Sequence, residues 1–352
     1  MRGWWLVAGA LAACGGVGGA EVARSGELAA AGRLGATAAA ASRAPASEPA
    51  EVTVIVSAVG DCALGDIHGT SSAPGSFSRY VDAQPDSMGY PFSAVAGILA
   101  EDDLTIANLE GALGDEGLPQ NPAYSIRGRP AFAEMLARGS VELVSLANNH
   151  SGDFGGAGLG ATRRALEGAG VGHFGGDRVD RRHIKGALVS NLGFLGGRVN
   201  ETREKLERAV RREKAAGALV IVSFHWGVEL SYAVLPDQRT LGRAAVDAGA
   251  DLVLGHHPHV LEGIETYRGR HIVYSLGNFV FGANIVPHDL DSMIYRERFV
   301  LRGGALARVE SEIIPVRISS LPRLNDFRPV PLTGEPRDRV LAKLEGLSAK
   351  LR

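Results

Sequence analysis

Three histidines fall within four positions in Gly255-His256-His257-Pro258-His259. A solvated surface loop gains nothing from that density, whereas two imidazoles spaced i, i+2 on extended chain can converge on a metal ion. Five other short segments raise the same question: Gly60-Asp61, Asn108-Leu109-Glu110-Gly111, Ala147-Asn148-Asn149-His150, His225-Trp226-Gly227 and Leu276-Gly277-Asn278-Phe279. Singly, each has an ordinary reading. Asp61 suits a helix N-cap, Glu110 a solvated loop charge, Asn149 a turn that tolerates left-handed backbone, and His225 a half-buried imidazole. Together, one Asp, one Glu, one Asn and three or four His make a mixed oxygen and nitrogen donor set of the kind that suits Zn, Mn or Fe. Six of the ten histidines, His68, His150, His225, His256, His257 and His259, lie in or beside these segments.

What must position these residues is legible in the runs that precede them. β-rich stretches cover residues 52–59, 104–108, 141–146, 219–224, 251–254 and 271–275, and amphipathic helical stretches cover 92–101, 157–169, 201–216 and 238–248. Strand alternating with helix predicts an α/β fold with buried, mostly parallel central strands. In open sheets of that class, ligands sit beyond the carboxyl ends of the strands. Each chemical segment directly follows one of the six runs, so the pattern predicts one rim carrying the whole set.

The ends of the chain read differently. Arg2 and the apolar run from Trp4 to Ala13 resemble a secretory leader, too short to span a bilayer. Leu11-Ala12-Ala13-Cys14 followed by Gly15-Gly16 resembles a bacterial lipobox, which makes Cys14 the expected acylated N-terminus and residues 1–14 a lipoprotein signal peptide. Residues 15–51, rich in Ala, Gly and Ser, read as a flexible tether. Residues 319–352 carry Pro322, Pro329, Pro331 and Pro336 in their first half and end in a helix whose apolar face is Val340, Leu341, Leu344, Leu347 and Leu351. A formal net charge of −2 offers no basic stripe for nucleic acid.

The six segments, in this order and together with Gly249-Ala250-Asp251, resemble the CapA/PgsA capsule (poly-γ-glutamate) synthesis family, itself similar in fold to calcineurin-like metallophosphoesterases. The resemblance covers about residues 54–318 and implies a metallophosphoesterase-like α/β sandwich over 52–318. It also implies a two-metal site. Asp61 and His259 would hold one ion, Asn149, His225 and His257 the other, and Glu110 would bridge both, with His150 as general acid. Two cations so placed stabilise the attacking and leaving oxygens of an in-line displacement. Phosphoesterases carry an Asp-x-His pair on the first strand loop, and here Ala63 stands in place of the histidine. His68 or Asn108 would have to fold back to replace it; His256 and Asn278 are further candidates.

Two functions follow as expectations. One is a metal-dependent hydrolase or transferase acting on an anionic envelope polymer or its phosphorylated precursor. The other is a non-catalytic, metal-containing accessory of a polymer synthesis and export complex, associated with other synthase subunits. Both place the protein in the cell envelope, tethered to the membrane through Cys14.

Overall fold

Leu219 and Ile221 point to one side of their strand, Val220, Val222 and Phe224 to the other, and both sides are buried. A strand apolar on both faces must be covered twice. The computed structural model, which describes residues 51–352, shows how. The signal and tether expected over residues 1–50, Cys14 included, lie outside the described residues.

The six strands anticipated from sequence divide between two sheets. The first holds, in spatial order, Val330–Pro331, Ala305–Arg317, Asp291–Arg302, Glu51–Ala63, Leu104–Leu109, Leu143–Ser145 and Gly172–Phe174, with Asn278–Phe281 also pairing to the end of Glu51–Ala63. The second runs Ile264–Tyr267, Arg270–Val273, Leu252–His256, Leu219–His225, Ala187–Leu195 and Asp180–Ile184. Central strands of both are parallel. The sheets are nevertheless mixed. Asp291–Arg302 and Ala305–Arg317 form a long antiparallel extension of the first, and antiparallel edge strands flank the second. That extension is charge-laden along its length, with Arg296, Glu297, Arg298, Glu310 and Glu312, which hides its strand character from an apolar pattern.

One apolar cluster joins the two sheets. Val54, Val56, Leu104 and Ile106 from the first meet Leu219, Ile221, Leu252 and Leu254 from the second. The period-2 alternation of each strand sends Val59, Ala107 and Val144 outward instead, where Leu136 and Leu166 of the helices Ala133–Arg138 and Gly155–Gly168 cover them. On the far side, Leu206 and Val210 of helix Val199–Ala215 and Leu241 and Ala245 of helix Pro236–Ala248 cover Val220, Val222 and Val253. The anticipated helix at 92–101 is reduced to one turn, Ala96–Leu99.

The C-terminal tail belongs to this packing. Phe327 sits edge-on against Phe77 with ring centroids 5.2 Å apart. Helix Gly334–Ala349 buries Val340 and Leu344 in the inter-sheet cluster, and Leu351 follows into the outer one. Among the described residues no helix is long and apolar enough to cross a membrane.

Candidate metal centre

Two glycines let backbones close around the site. A Cβ on Gly60 would lie 2.1 Å from the Gly277 carbonyl oxygen, and one on Gly255 would lie 1.9 Å from that of Tyr274. Their absence brings neighbouring strand ends into register. Asn108, Asp61 and Asn278 stand side by side on three parallel strands of the first sheet. His225 and His256 are paired neighbours in the second. Both rows face the same space, because the sheets are stacked with these carboxyl ends together.

Asp61 and Glu110 are fully buried. Asn108 spans them: its Nδ2 donates to Asp61 Oδ1 at 2.9 Å and to Glu110 Oε2 at 3.3 Å. Asn148 Nδ2 in turn donates to Asn108 Oδ1 at 2.9 Å and to the Leu109 carbonyl at 2.8 Å, which fixes the Asn108 amide in that orientation. Around Glu110 Oε1 lie His225 Nε2 at 3.6 Å, His259 Nε2 at 3.7 Å and His150 Nε2 at 3.8 Å. His259 Nδ1 is 3.1 Å from Asp61 Oδ2 and 2.9 Å from Asn278 Oδ1. His256 Nδ1 is 3.2 Å from Asp61 Oδ1 at an angle that makes no hydrogen bond. The His225 and His257 rings are 4.6 Å apart.

The loop that supplies these rings is strained. His257 and His259 have φ of 99° and 59°, in the left-handed region that non-glycine residues avoid. Such residues cost on the order of 1–3 kcal/mol each and cluster at functional sites. The His257 backbone N–H donates to Asp61 Oδ2 at 3.2 Å, so the twist that turns the rings inward is tied to the buried carboxylate.

Whether these groups fit a cation can be judged from what is left unpaired. Glu110 Oε1, His225 Nε2 and His257 Nδ1 are buried without a hydrogen-bond partner, a costly state for polar atoms. The 3.6–3.8 Å gaps are too long for hydrogen bonds, and transition ions take nitrogen and oxygen donors at about 2.0–2.2 Å. Two ligand groups of neighbouring donor atoms form: Asp61, Glu110 and His225; and Glu110, His257 and His259. Glu110 belongs to both. Burial holds the His225 imidazole well below its ordinary range, and burial with the neighbouring His259 lowers His257, which favours the neutral form that ligation requires in both rings. Burial works against the Asp61 charge, yet the imidazoles of His256 and His259 hold its carboxyl well below the usual range. Burial pushes Glu110 up to about 8. Burial opposes the charge of His259 too, but Glu110 and Asp61 raise it to about 9. The residues fit a buried cation site.

His150 stands at the edge of the centre. Its Nδ1 lies 2.8 Å from Asp153 Oδ2, which also accepts the Ile126 N–H at 2.7 Å. Against the effect of burial, Asp153 and Glu110 raise its pKa. Asn149 is exposed and, with His225 and His257, lines a hollow of about 350 Å³. His68 is exposed, its ring edge-on to Phe154 at 5.8 Å, and belongs to neither ligand group. Ala63 is buried against Ile126 and Phe281, and apolar packing fills the position of the missing histidine. Asp153, three residues on from His150, is the neighbouring carboxylate that the sequence offers that ring as a hydrogen-bond partner. Asn148 is not singled out by the sequence, because the turn gives no sign of which of two adjacent asparagines faces inward.

Residues 55–283 match the family model described as bacterial capsule synthesis protein PGA_cap. The chain belongs to that family. It is 34% identical over 220 residues to the capsule biosynthesis protein CapA of Bacillus anthracis, covering 54% of this chain and 54% of that protein. It is 35% identical over 228 residues to the PGA biosynthesis protein CapA of Bacillus subtilis, covering 58% and 60%. A probable polyglutamine synthesis accessory protein of Mycobacterium tuberculosis is 29% identical over 230 residues, covering 56% and 60%. The chain thus spans between about half and three fifths of the length of the curated relatives it matches. The PGA_cap match takes in every proposed ligand from Asp61 to His259 and ends just past Phe281.

Proposed function

We propose that this PGA_cap chain uses the buried centre as a metal-dependent hydrolase-like site in the making of an envelope polymer such as poly-γ-glutamate. The observation that carries the reading is Glu110 Oε1, an unpaired buried carboxylate oxygen ringed by three imidazole nitrogens. Asp61, Glu110, Asn149, His225, His257 and His259 would hold one or two divalent Mn, Fe or Zn ions. Bound there, such ions supply Lewis-acid polarisation of a phosphoryl or acyl oxygen. The protein's own groups do the remaining work. Asn108, oriented by Asn148, keeps Asp61 and Glu110 aimed inward. Asp153 fixes the His150 tautomer with Nε2 toward the centre, and the raised pKa keeps a proton there to give to a leaving oxygen. The protein would reach its substrate from the membrane surface, held by lipid on Cys14.

A second reading, a metal-containing accessory of a synthesis and export complex, is favoured by Ala63, which leaves the first ion one ligand short, and by the mycobacterial relative's being called an accessory protein. One experiment separates the two. Purified protein is assayed for metal-dependent turnover of phosphoester and poly-γ-glutamate substrates, with polymer yield measured in cells. Turnover that depends on metal and on His150 supports the enzyme; full polymer yield from a His150→Ala strain that retains its metal supports the accessory.

A further inference from the structure

Helix Val199–Ala215 carries charges on every side, but they are sorted. Glu207 accepts from Arg203 at 2.8 Å and from Arg211 at 2.7 Å, so those charges neutralise one another on one side. Lys205, Arg208 and Arg212 instead line a separate cavity of about 730 Å³, spaced one helical turn apart, with no acidic residue of the helix among them. Two of the three are thinly paired. Arg208 meets Glu204 only at 4.0 Å, and among the described residues no carboxylate lies within 4.0 Å of Lys205. Arg212 reaches Glu213, which also holds Arg181. Across the cavity stands Arg178, with Asp177 as the one acid of the lining.

This cavity shares a wall residue with the hollow beside the metal centre. Leu195, half exposed, borders it and also borders the hollow beside Asn149, His225 and His257. A third small hollow, lined by Asn148 and Arg163, meets both at Leu195. The junction is built: Thr202 Oγ1 donates to the Leu195 carbonyl at 3.3 Å, and a Cβ on Gly196 would lie 2.7 Å from Trp226 Cβ. Cations spaced along a groove suit a chain of spaced negative charges better than a single anion. Between them the walls are apolar, with Leu192, Phe194 and Ala209, which matches charges separated by methylene-rich links rather than a polyphosphate.

We infer that Lys205, Arg208 and Arg212 form a binding groove for a linear polycarboxylate, which passes over Leu195 toward the metal centre. This inference rests on the polymer reading above but is tested by binding alone. Fluorescence anisotropy with a labelled poly-γ-glutamate oligomer compares wild type, Lys205→Ser/Arg208→Ser, and the charge-matched control Arg203→Ser/Arg211→Ser. The groove variant should bind about tenfold or more weakly, with a reduced salt dependence, while the control stays within about twofold. Equal losses in both variants, or unchanged binding in the groove variant, would overturn the groove. So would failure of the wild type to bind at low salt, or stronger groove-dependent binding of polyphosphate of equal charge. Metal content is measured on the same samples. Absence of metal would sink the hydrolase reading while leaving the binding comparison intact.

Discussion

Glu110 Oε1 and His225 Nε2 face each other at 3.6 Å in a fully buried space, and neither has a hydrogen-bond partner. Glu110 directly follows a strand of the first sheet and His225 ends a strand of the second, 115 positions apart in the chain by their numbers. Folding therefore gathers an unpaired acceptor and an unpaired ring nitrogen, an arrangement that destabilises the protein unless a third party joins them.

A bound ion would be that third party, and removing one donor should show it. His225→Ala is expected to lose most of its metal by elemental analysis after dialysis. With metal at about 100-fold over its Kd, the wild type gains about 2.7 kcal/mol of stability by mass action, so chelation should lower its Tm clearly and that of the variant hardly at all. Equal metal content in the two proteins would rule this ligand out.

Metal binding should release protons. Burial holds Glu110 up to about 8, and His259, with burial opposing its charge but Glu110 and Asp61 favouring it, stands at about 9. At pH 7 this coupled pair holds at least one proton that a cation must displace. Titration calorimetry in buffers of different ionisation enthalpy should report between about one and two protons released at pH 7, with affinity rising toward pH 9. The same shifts fix the sign for the metal-free protein. Both folded pKa values are raised, so the stability they contribute is present at low pH. The Glu110 share is lost as pH rises from about 4.5 through 8, and the His259 share from about 6.5 through 9. Melting curves of chelated protein should fall from about pH 6.5 to 9; below that, the lowered His225 and His257 act in the opposite sense. A flat profile would contradict it.

His150→Ala should retain metal yet lose a factor of roughly 10²–10⁴ in turnover if His150 donates a proton. Asp153→Asn should show a smaller loss, because the ring remains but its orientation and raised pKa do not. Loss of metal and Tm together in His150→Ala would make the residue structural.

Asn148→Ala removes the amide that holds Asn108. It leaves the Leu109 carbonyl and Asn108 Oδ1 buried without their donor. A cost of about 1–3 kcal/mol is expected, measured by urea unfolding of the metal-free protein. Asn149→Ala, at an exposed position, should change the stability of the metal-free protein little and lower its metal content.

Cys14→Ala should move the protein from the detergent-extracted membrane to the soluble envelope fraction. Unchanged partitioning in that variant would remove the proposed lipid anchor.

The strands that carry the chemistry, and the residues at their ends, were legible in the sequence because both signals are local. Apolar runs declare a strand, and an Asp, Asn or His directly after one declares a rim position. Asp61, Glu110, His225, His257 and His259 could be named on that basis and by family resemblance. What the sequence could not hold is which strand lies beside which. The six runs split between two sheets, and Asn278 returns to pair with Asp61 across the chain, because burial of apolar faces, a non-local quantity, decides the stacking. The choice of Asn148 over Asn149 as the buried amide, the apolar filling around Ala63 and the distance of His68 from the centre were decided the same way. Each depends on which atoms a side chain meets from other strands. Period and composition specify an element and its inward face; only tertiary packing specifies the partner.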